Sequence, residues 1–174
     1  MNEPRKYVSR FTLVLIPAIS CLVAVQSAQS AEPVYNGKPL SEWLLLNAAR
    51  DDSATEAIRQ IGTNAIPTLL DLLSTTEWNK KRVVSKLKSK GFRKEFLGRH
   101  AETEDIRTVA VDGFKILGTN AESAIPQLTK LLHESEPRLE VAYTLAGIGT
   151  KGFAVLTNAI NDEDLAGVLV LAIG

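Results

Sequence analysis

A short motif that occurs twice constrains this sequence of 174 residues more than any other feature. Gly-Thr-Asn-Ala, a proline and a leucine-rich segment follow one another from Gly62 and again from Gly118, and a looser copy without the proline begins at Gly149. Before each glycine, apolar residues recur at the spacing of an amphipathic helix that buries one face. The chain is therefore predicted to repeat a pair of helices joined at a glycine.

Each predicted helix carries one apolar stripe. The first helices carry Ala54, Ala57, Ile58 and Ile61; Ile106, Val109, Ala110, Phe114 and Leu117; and Val141, Ala142, Leu145 and Ile148. The second helices carry Ile66, Leu69, Leu70, Leu72 and Leu73; Ile125, Leu128, Leu131 and Leu132; and Phe153, Val155, Leu156, Ala159 and Ile160. Because one such pair cannot bury its own apolar face, the pairs are predicted to stack with these residues as their core.

The residues at each joint predict how one helix ends and the next begins. A glycine passes easily through the left-handed conformation that ends a helix, and the residues predicted to do so are Gly62, Gly118 and Gly149. Short polar side chains cap the start of a helix, and the predicted caps are Thr63-Asn64 and Thr119-Asn120. A proline fits the first helical turn, which is the predicted place of Pro67 and Pro126.

These units resemble HEAT repeats, in the short form also found in bilin-lyase-type HEAT-like proteins. The resemblance covers residues 51–174 and implies an all-α fold, an α-α superhelix or solenoid of about three to four helical pairs. A low aromatic content of 6% also favours helix-on-helix packing. The 31-residue period from Gly118 to Gly149 matches one unit, whereas the 56 residues from Gly62 to Gly118 require an insertion.

Residues 1–31 differ from the rest and are predicted to be a secretory signal peptide. Basic residues precede an apolar run at positions 11–25, and small residues follow it. Cleavage is expected after Ser30, with Ala31 and Ser27 as alternatives. The run is shorter than the roughly 20 residues of a membrane-spanning helix, but an uncleaved N-terminal anchor is the alternative. The mature protein is predicted to be exported to the periplasm or the extracellular space, and the one cysteine, Cys21, lies within the signal.

The two ends of the repeat region carry separate predictions. Residues 32–50 resemble the start of secreted bacterial HEAT-repeat proteins and predict a capping helix, with Ser41 as its N-cap and an apolar face formed by Trp43, Leu44 and Leu45. Residues 162–174 repeat the pattern of a first helix, with a stripe of Leu165, Val168, Leu169 and Ala172, and positions 168–173 are apolar nearly all round. This pattern predicts an incomplete last repeat, or a helix that is buried against a partner.

Residues 77–101 do not fit the repeat and are predicted to form a helical insertion after the first one. Val83, Val84 and Leu87 predict one amphipathic helix, with Trp78 near its apolar face. Gly91 predicts a turn, and a short second helix is expected to pack on the first repeat through Phe92, Phe96 and Leu97.

The insertion is strongly basic, with a net charge of +7 from Glu77 to His100, whereas the rest of the chain after residue 31 carries −9. Such a patch fits an acidic protein surface, anionic lipid headgroups or nucleic acid, and the predicted export disfavours nucleic acid. The alternative is that these cations only solvate the inserted helix. The candidate partner-binding residues are Lys80, Lys81, Arg82, Lys86, Lys88, Lys90, Arg93 and Lys94.

Candidate catalytic or metal-binding residues are few. His133-Glu134 is similar to the His-Glu pairs that hold iron in HEAT-repeat deoxyhypusine hydroxylases, but those enzymes use several such pairs and this chain has one. His133 is predicted to be an exposed residue near a helix C-terminus. We therefore predict no catalytic residue, metal or cofactor, and a non-enzymatic HEAT-repeat scaffold that binds a protein. The alternatives are an enzyme or enzyme accessory of the bilin-lyase-like class, and an adaptor on anionic membranes.

Overall fold

Helices dominate the protein in the computed structural model, which describes residues 32–91, 94–99, 103–134, 137–160, 162, 165–167 and 170–171. The prediction of an all-α fold is confirmed as far as the dominance of helices is concerned. The predicted signal peptide lies outside the described residues. The helices are α1 (Leu40–Ala48), α2 (Asp52–Ile61), α3 (Ile66–Leu73), α4 (Lys80–Ser89), α5 (Lys94–Arg99), α6 (Thr103–Leu117), α7 (Ile125–Leu132), α8 (Arg138–Ile148) and α9 (Thr150–Ala159).

The predicted helical pairs are α2 with α3, α6 with α7, and α8 with α9. Helix α6 packs against α3 and α8, α2 packs against α1 and α6, and α8 packs against α7 and α9. Every residue of the three predicted first-helix stripes is buried, from Ala54 in α2 to Ile148 in α8. The apolar spacing in the sequence therefore identified one continuous core that runs across successive pairs.

The glycine stops are confirmed, but the predicted capping residues are wrong. Gly62, Gly118 and Gly149 end their helices with φ of 61°, 54° and 117°. The chain forms 3-10 turns over Gly62–Ala65 and over Gly118–Ala124. No side chain caps α3 or α7. The Thr-Asn pairs lie inside these turns, where backbone hydrogen bonds replace the expected caps. Pro67 and Pro126 do occupy the first turns of α3 and α7.

In the third pair, two residues predicted to lie in the core are exposed. Phe153 is 41% exposed and Ile160 is 50% exposed. Gly149 leads directly into α9 without a 3-10 turn, and α9 meets α8 through a stripe that includes Gly152 and Leu156. At about 100° per residue, Phe153 lies about a quarter turn from Gly152, and Ile160 follows the last residue of α9.

The N-terminal segment contains a hairpin that the sequence analysis missed. Strand β1 (Val34–Tyr35) pairs antiparallel with β2 (Lys38–Pro39), and the turn residues Asn36 and Gly37 both have positive φ. Asn-Gly is the preferred pair for such a two-residue turn. The hairpin leads directly into α1, so residues 32–50 form a hairpin followed by a helix.

Ser41 is not the N-cap of α1, contrary to the prediction. The helix begins at Leu40, and Ser41 is fully buried within its first turn. Its backbone N–H donates instead to the carboxylate of Glu32. Trp43 and Leu44 are buried as expected, and the indole N–H of Trp43 donates to the Tyr35 carbonyl oxygen at 3.1 Å. Trp43 therefore joins α1 to the hairpin.

The insertion forms two helices, as predicted. Val83 and Leu87 of α4 and Phe96 of α5 are buried, and Gly91 between the helices has a φ of 95°. Val84 is only partly buried. Trp78 is 99% exposed and does not pack near the apolar face, so that part of the prediction is wrong. Phe92 lies outside the described residues.

The last described residues belong to the start of another helical segment. Leu165 is buried, whereas Val170 and Leu171 are more than 60% exposed. The Tyr143 hydroxyl donates to the Leu171 carbonyl oxygen at 3.2 Å and ties this segment to α8. The other predicted stripe residues, Val168, Leu169 and Ala172, lie outside the described residues. The prediction of an incomplete repeat or a covered helix therefore stays a prediction.

Candidate functional site

A groove lies between the second helices of the first two pairs. It has a volume of about 320 Å³. Its apolar side chains, Leu70 of α3 and Leu131 of α7, are partly buried and pack against the core. Polar residues surround them, so the groove offers both apolar contact and hydrogen bonding. These polar residues are Asp71, Ser74, Gln127, Lys130 and Glu134.

The repeat pattern explains why this groove forms. In α3 the side chains that face the core are fully buried, as shown by Leu69, Leu72 and Leu73. Leu70 and Asp71 follow Leu69 by one and two residues, so their side chains turn progressively away from the buried stripe. They face Gln127, Lys130 and Leu131 of α7 across the groove, and we call this side of the second helices the second-helix surface.

A second groove continues along this surface between α7 and α9, with a volume of about 340 Å³. His133 follows the last residue of α7, as predicted for a residue near a helix C-terminus, and it is exposed. Its Nδ1 lies 3.9 Å from Oδ2 of Asp162. The other residues that line this groove are Thr129, Val155, Asn158 and Ala159.

Asp71 joins the first groove to the basic insertion. Its Oδ1 lies 2.6 Å from Nζ of Lys86, and its Oδ2 lies 2.9 Å from Nζ of Lys90. The side chain of Lys90 is only 8% exposed. Two of the candidate partner-binding lysines are thus already paired with a carboxylate of the protein, and they hold α4 against α3 at the edge of the groove.

The other candidate cations are more accessible. Lys81, Arg82 and Lys88 are exposed on α4 and form no ion pair with any residue that the structure describes. Lys80 lies 3.8 Å from Glu77, and Lys94 is exposed at the start of α5. Arg93 lies outside the described residues. The insertion therefore divides into anchoring lysines and a free basic face.

A cavity of about 400 Å³ lies on the other side of the stack, between the first helices α6 and α8. Burial raises the pKa of the Asp112 carboxyl there, and Lys115 opposes that rise. The ammonium of Lys115 lies 5.8 Å from the centre of the Tyr143 ring. Nearby, Arg107 Nε lies 2.7 Å from Oε1 of Glu140, which ties α6 to α8.

The anchoring role of Asp71 was missed in the sequence. Its lysine partners follow it by 15 and 19 residues, beyond the spacing of a helical ion pair. The signal in the sequence was indirect: Asp71 is an acidic residue in a leucine-rich helix that directly precedes a basic segment. Glu32 was also missed, because its carboxylate reaches the α1 N-terminus from outside the helix.

The described part of the chain contains no group of three or more His, Cys, Asp or Glu side chains that is arranged to hold a metal ion. Within the same residues, no helix has the length and apolar character needed to cross a membrane. The chemical groups of the second-helix surface are therefore amides, hydroxyls, carboxylates, one lysine and His133, beside a partly apolar floor.

Comparison of the chain with models of protein families, with curated proteins and with solved structures gives no match. The resemblance to HEAT repeats accordingly depends on the residues of the chain itself.

Proposed function

We propose that this chain is a HEAT-like solenoid that acts as a non-enzymatic scaffold outside the cytoplasm and binds a protein partner along its second-helix surface. The observation that carries the proposal is the pair of grooves on that surface, between α3 and α7 and between α7 and α9. Because both grooves include residues of α7, an extended segment of a partner would be able to occupy them in succession.

The composition of the first groove supports protein recognition. Protein interfaces combine an apolar centre with a polar rim that sets orientation. Leu70 and Leu131 supply the apolar centre, and Lys130 and Glu134 supply charges of both signs at the rim. A surface of this kind favours a partner segment that carries an apolar side chain flanked by both charges.

The fold supports a rigid surface. The core side chains behind the groove, including Leu69 and Leu128, have no exposure to solvent. Protein interiors of this kind are close-packed and resist deformation. A preformed surface loses little conformational freedom on binding, and this contributes to affinity.

A bulky substitution in the groove tests the proposal. The side chain of Gln127 lines the groove and is exposed, so Gln127→Trp is expected to obstruct it without disturbing the core. Thr108 is exposed on the first-helix side, and Thr108→Trp adds the same bulk there as a matched control. Partners are captured from the extracytoplasmic fraction of the source organism and quantified by mass spectrometry.

The expected result is one stoichiometric partner that Thr108→Trp retains and Gln127→Trp loses at least tenfold. Loss with Thr108→Trp alone would assign binding to the first-helix side and contradict the proposal. Absence of any stoichiometric partner, together with a chromophore bound to the purified protein, would favour the bilin-lyase-like enzyme instead.

A further inference from the structure

Helix α4 presents a basic face that is separate from the groove. Val83 and Leu87 turn inward, and Asp71 pairs with Lys86 and Lys90. Lys81 and Lys88 are seven residues apart and therefore lie on one side of the helix. This outward side, together with Arg82, carries no acidic residue from α4 itself.

Trp78 adds an exposed apolar group just before the N-terminal end of α4. It lies two residues before the start of α4, and 99% of its surface is exposed. Tryptophan is usually among the most buried residues of a protein. An indole prefers the interface between lipid headgroups and acyl chains, where its apolar body and its N–H are both accommodated.

The first described residue, Glu32, is bonded to the C-terminal end of α4, opposite the end that Trp78 precedes. The backbone N–H of Glu32 donates to the carbonyl oxygen of Lys90, at the C-terminal end of α4, over 3.2 Å. The apolar run at positions 11–25 ends seven residues before Glu32 in the sequence, a distance of at most about 25 Å of extended chain. In the alternative of an uncleaved N-terminal anchor, this tether keeps α4 within that distance of the bilayer surface.

From the exposed basic face and the exposed indole we infer that Trp78 and the basic face formed by Lys81, Arg82 and Lys88 dock the protein on anionic lipid headgroups. The cations bind the headgroup phosphates and the indole enters the interface. The second-helix surface remains free for a protein partner, because α4 is held at its edge by Asp71.

Two tryptophans at opposite extremes of burial make this inference directly measurable. Trp43 is 6% exposed and Trp78 is 99% exposed. On vesicles of phosphatidylcholine and phosphatidylglycerol, the emission of Trp78 is expected to shift to shorter wavelength, whereas that of Trp43 is not. Trp43 emission also reports that each variant is folded. The protein used is the one purified from the source organism, in the form to which the cell processes it.

Charge reversal tests the basic face. A basic residue near an anionic surface contributes about 1 kcal/mol, so Lys81→Glu, Arg82→Glu and Lys88→Glu together are expected to weaken vesicle binding on the order of 100-fold. A matched control reverses three exposed cations elsewhere, at Arg50, Arg59 and Lys151, and is expected to retain most binding. Trp78→Phe is expected to retain binding and remove the emission shift, and Trp78→Ala to weaken binding several-fold.

Several results would overturn the inference. These are no vesicle binding at low salt, an equal loss in the control triple variant, or binding without a shift in Trp78 emission. Binding to a poly-glutamate peptide but not to anionic vesicles would assign the basic face to an acidic protein instead.

Discussion

The first two helical pairs have the same core but different neighbours. Leu69 of α3 and Leu128 of α7 occupy matching positions and are both fully buried. Four residues after each proline, however, α3 carries Asp71 and α7 carries Lys130. Asp71 forms ion pairs with two lysines of the insertion. Lys130, at the matching position of α7, would repel such lysines. The buried positions of the repeat thus determine the stack, and one surface position determines where the insertion docks.

The largest expected effect tests the shared core. Leu69→Ala and Leu128→Ala each remove a fully buried side chain, and each is expected to lower the free energy of unfolding by about 2–5 kcal/mol. Urea denaturation measures this. Leu171→Ala, at an exposed position, is the control and is expected to change stability by less than about 0.5 kcal/mol. A small loss at only one of the two buried leucines would show that the pairs are not equivalent.

The third pair differs from the first two at its joint. Ala65 and Ala121 stand three residues after their stop glycines and are fully buried, but the third pair has Gly152 there. A Cβ on Gly152 would overlap the carbonyl oxygen of Leu145. Gly152→Ala is therefore expected to cost about 1–3 kcal/mol, as overpacking does.

Gly98 in α5 provides the control for this substitution, since a Cβ added there meets nothing within 4 Å. Gly98→Ala is expected to leave thermal stability unchanged or to raise it by up to about 1 kcal/mol through helix propensity. Equal behaviour of the two variants would contradict the close contact between α8 and α9.

The charge difference between the pairs predicts an effect of similar size. Asp71→Asn leaves the nearly buried ammonium of Lys90 without a carboxylate, at an expected cost of about 1–3 kcal/mol. Lys130→Gln is the matched change in the second pair and is expected to cost less than about 0.5 kcal/mol. Hydrogen exchange should show faster opening of α4 in the first variant only. The proposed anchor is wrong if α4 exchanges equally slowly in both.

The smallest effect concerns two carboxylates whose pKa values move in opposite directions. Burial raises the pKa of Asp112, so its ionised form destabilises the fold at neutral pH, and the cost disappears as the pH falls below the ordinary aspartate value of about 3.9. Asp112→Asn is thus expected to stabilise the protein at pH 7 but not at pH 3, as unfolding at the two pH values would show.

The pKa of Asp51 is shifted in the opposite direction, below its ordinary value. The hydroxyl and backbone N–H of Ser53 donate to its carboxylate and lower its pKa. Its stabilising contribution is present above the ordinary aspartate pKa and is lost as the pH falls through the lowered value. Asp51→Asn should therefore destabilise the protein at pH 7 and have little effect at low pH. If the stability changes caused by the two substitutions had the same sign and the same pH dependence, both assigned pKa directions would be contradicted.

The parts of the fold that follow from local spacing were predictable from the sequence. The buried stripes of α2, α6 and α8 can be predicted from the helical period alone. The glycines that end the helices can be predicted because each joint requires a positive φ. Asn36-Gly37 was a readable hairpin signal that was overlooked. The 3-10 turn after Gly62 was not predictable from cap preferences, because its backbone satisfies the groups that the Thr-Asn side chains were expected to bind.

The candidate site was less predictable because it depends on packing between distant segments. The sequence indicated a basic insertion but did not separate the lysines that anchor it from those that face solvent. That separation depends on Asp71, which is brought to Lys86 and Lys90 only when α4 folds back on α3. The exposure of Trp78 likewise depends on the direction in which the chain leaves the turn before α4.

One side chain spans all three helical pairs. Arg107 begins on α6, its Nη1 donates to the Thr75 carbonyl oxygen just after α3 at 3.4 Å, and its Nε contacts Glu140 of α8. Where each helical pair contacts only its neighbours, stability is roughly a sum of local contributions. Here the loss of any one pair would break a contact of the same guanidinium with the others, which favours melting of the stack in a single cooperative transition.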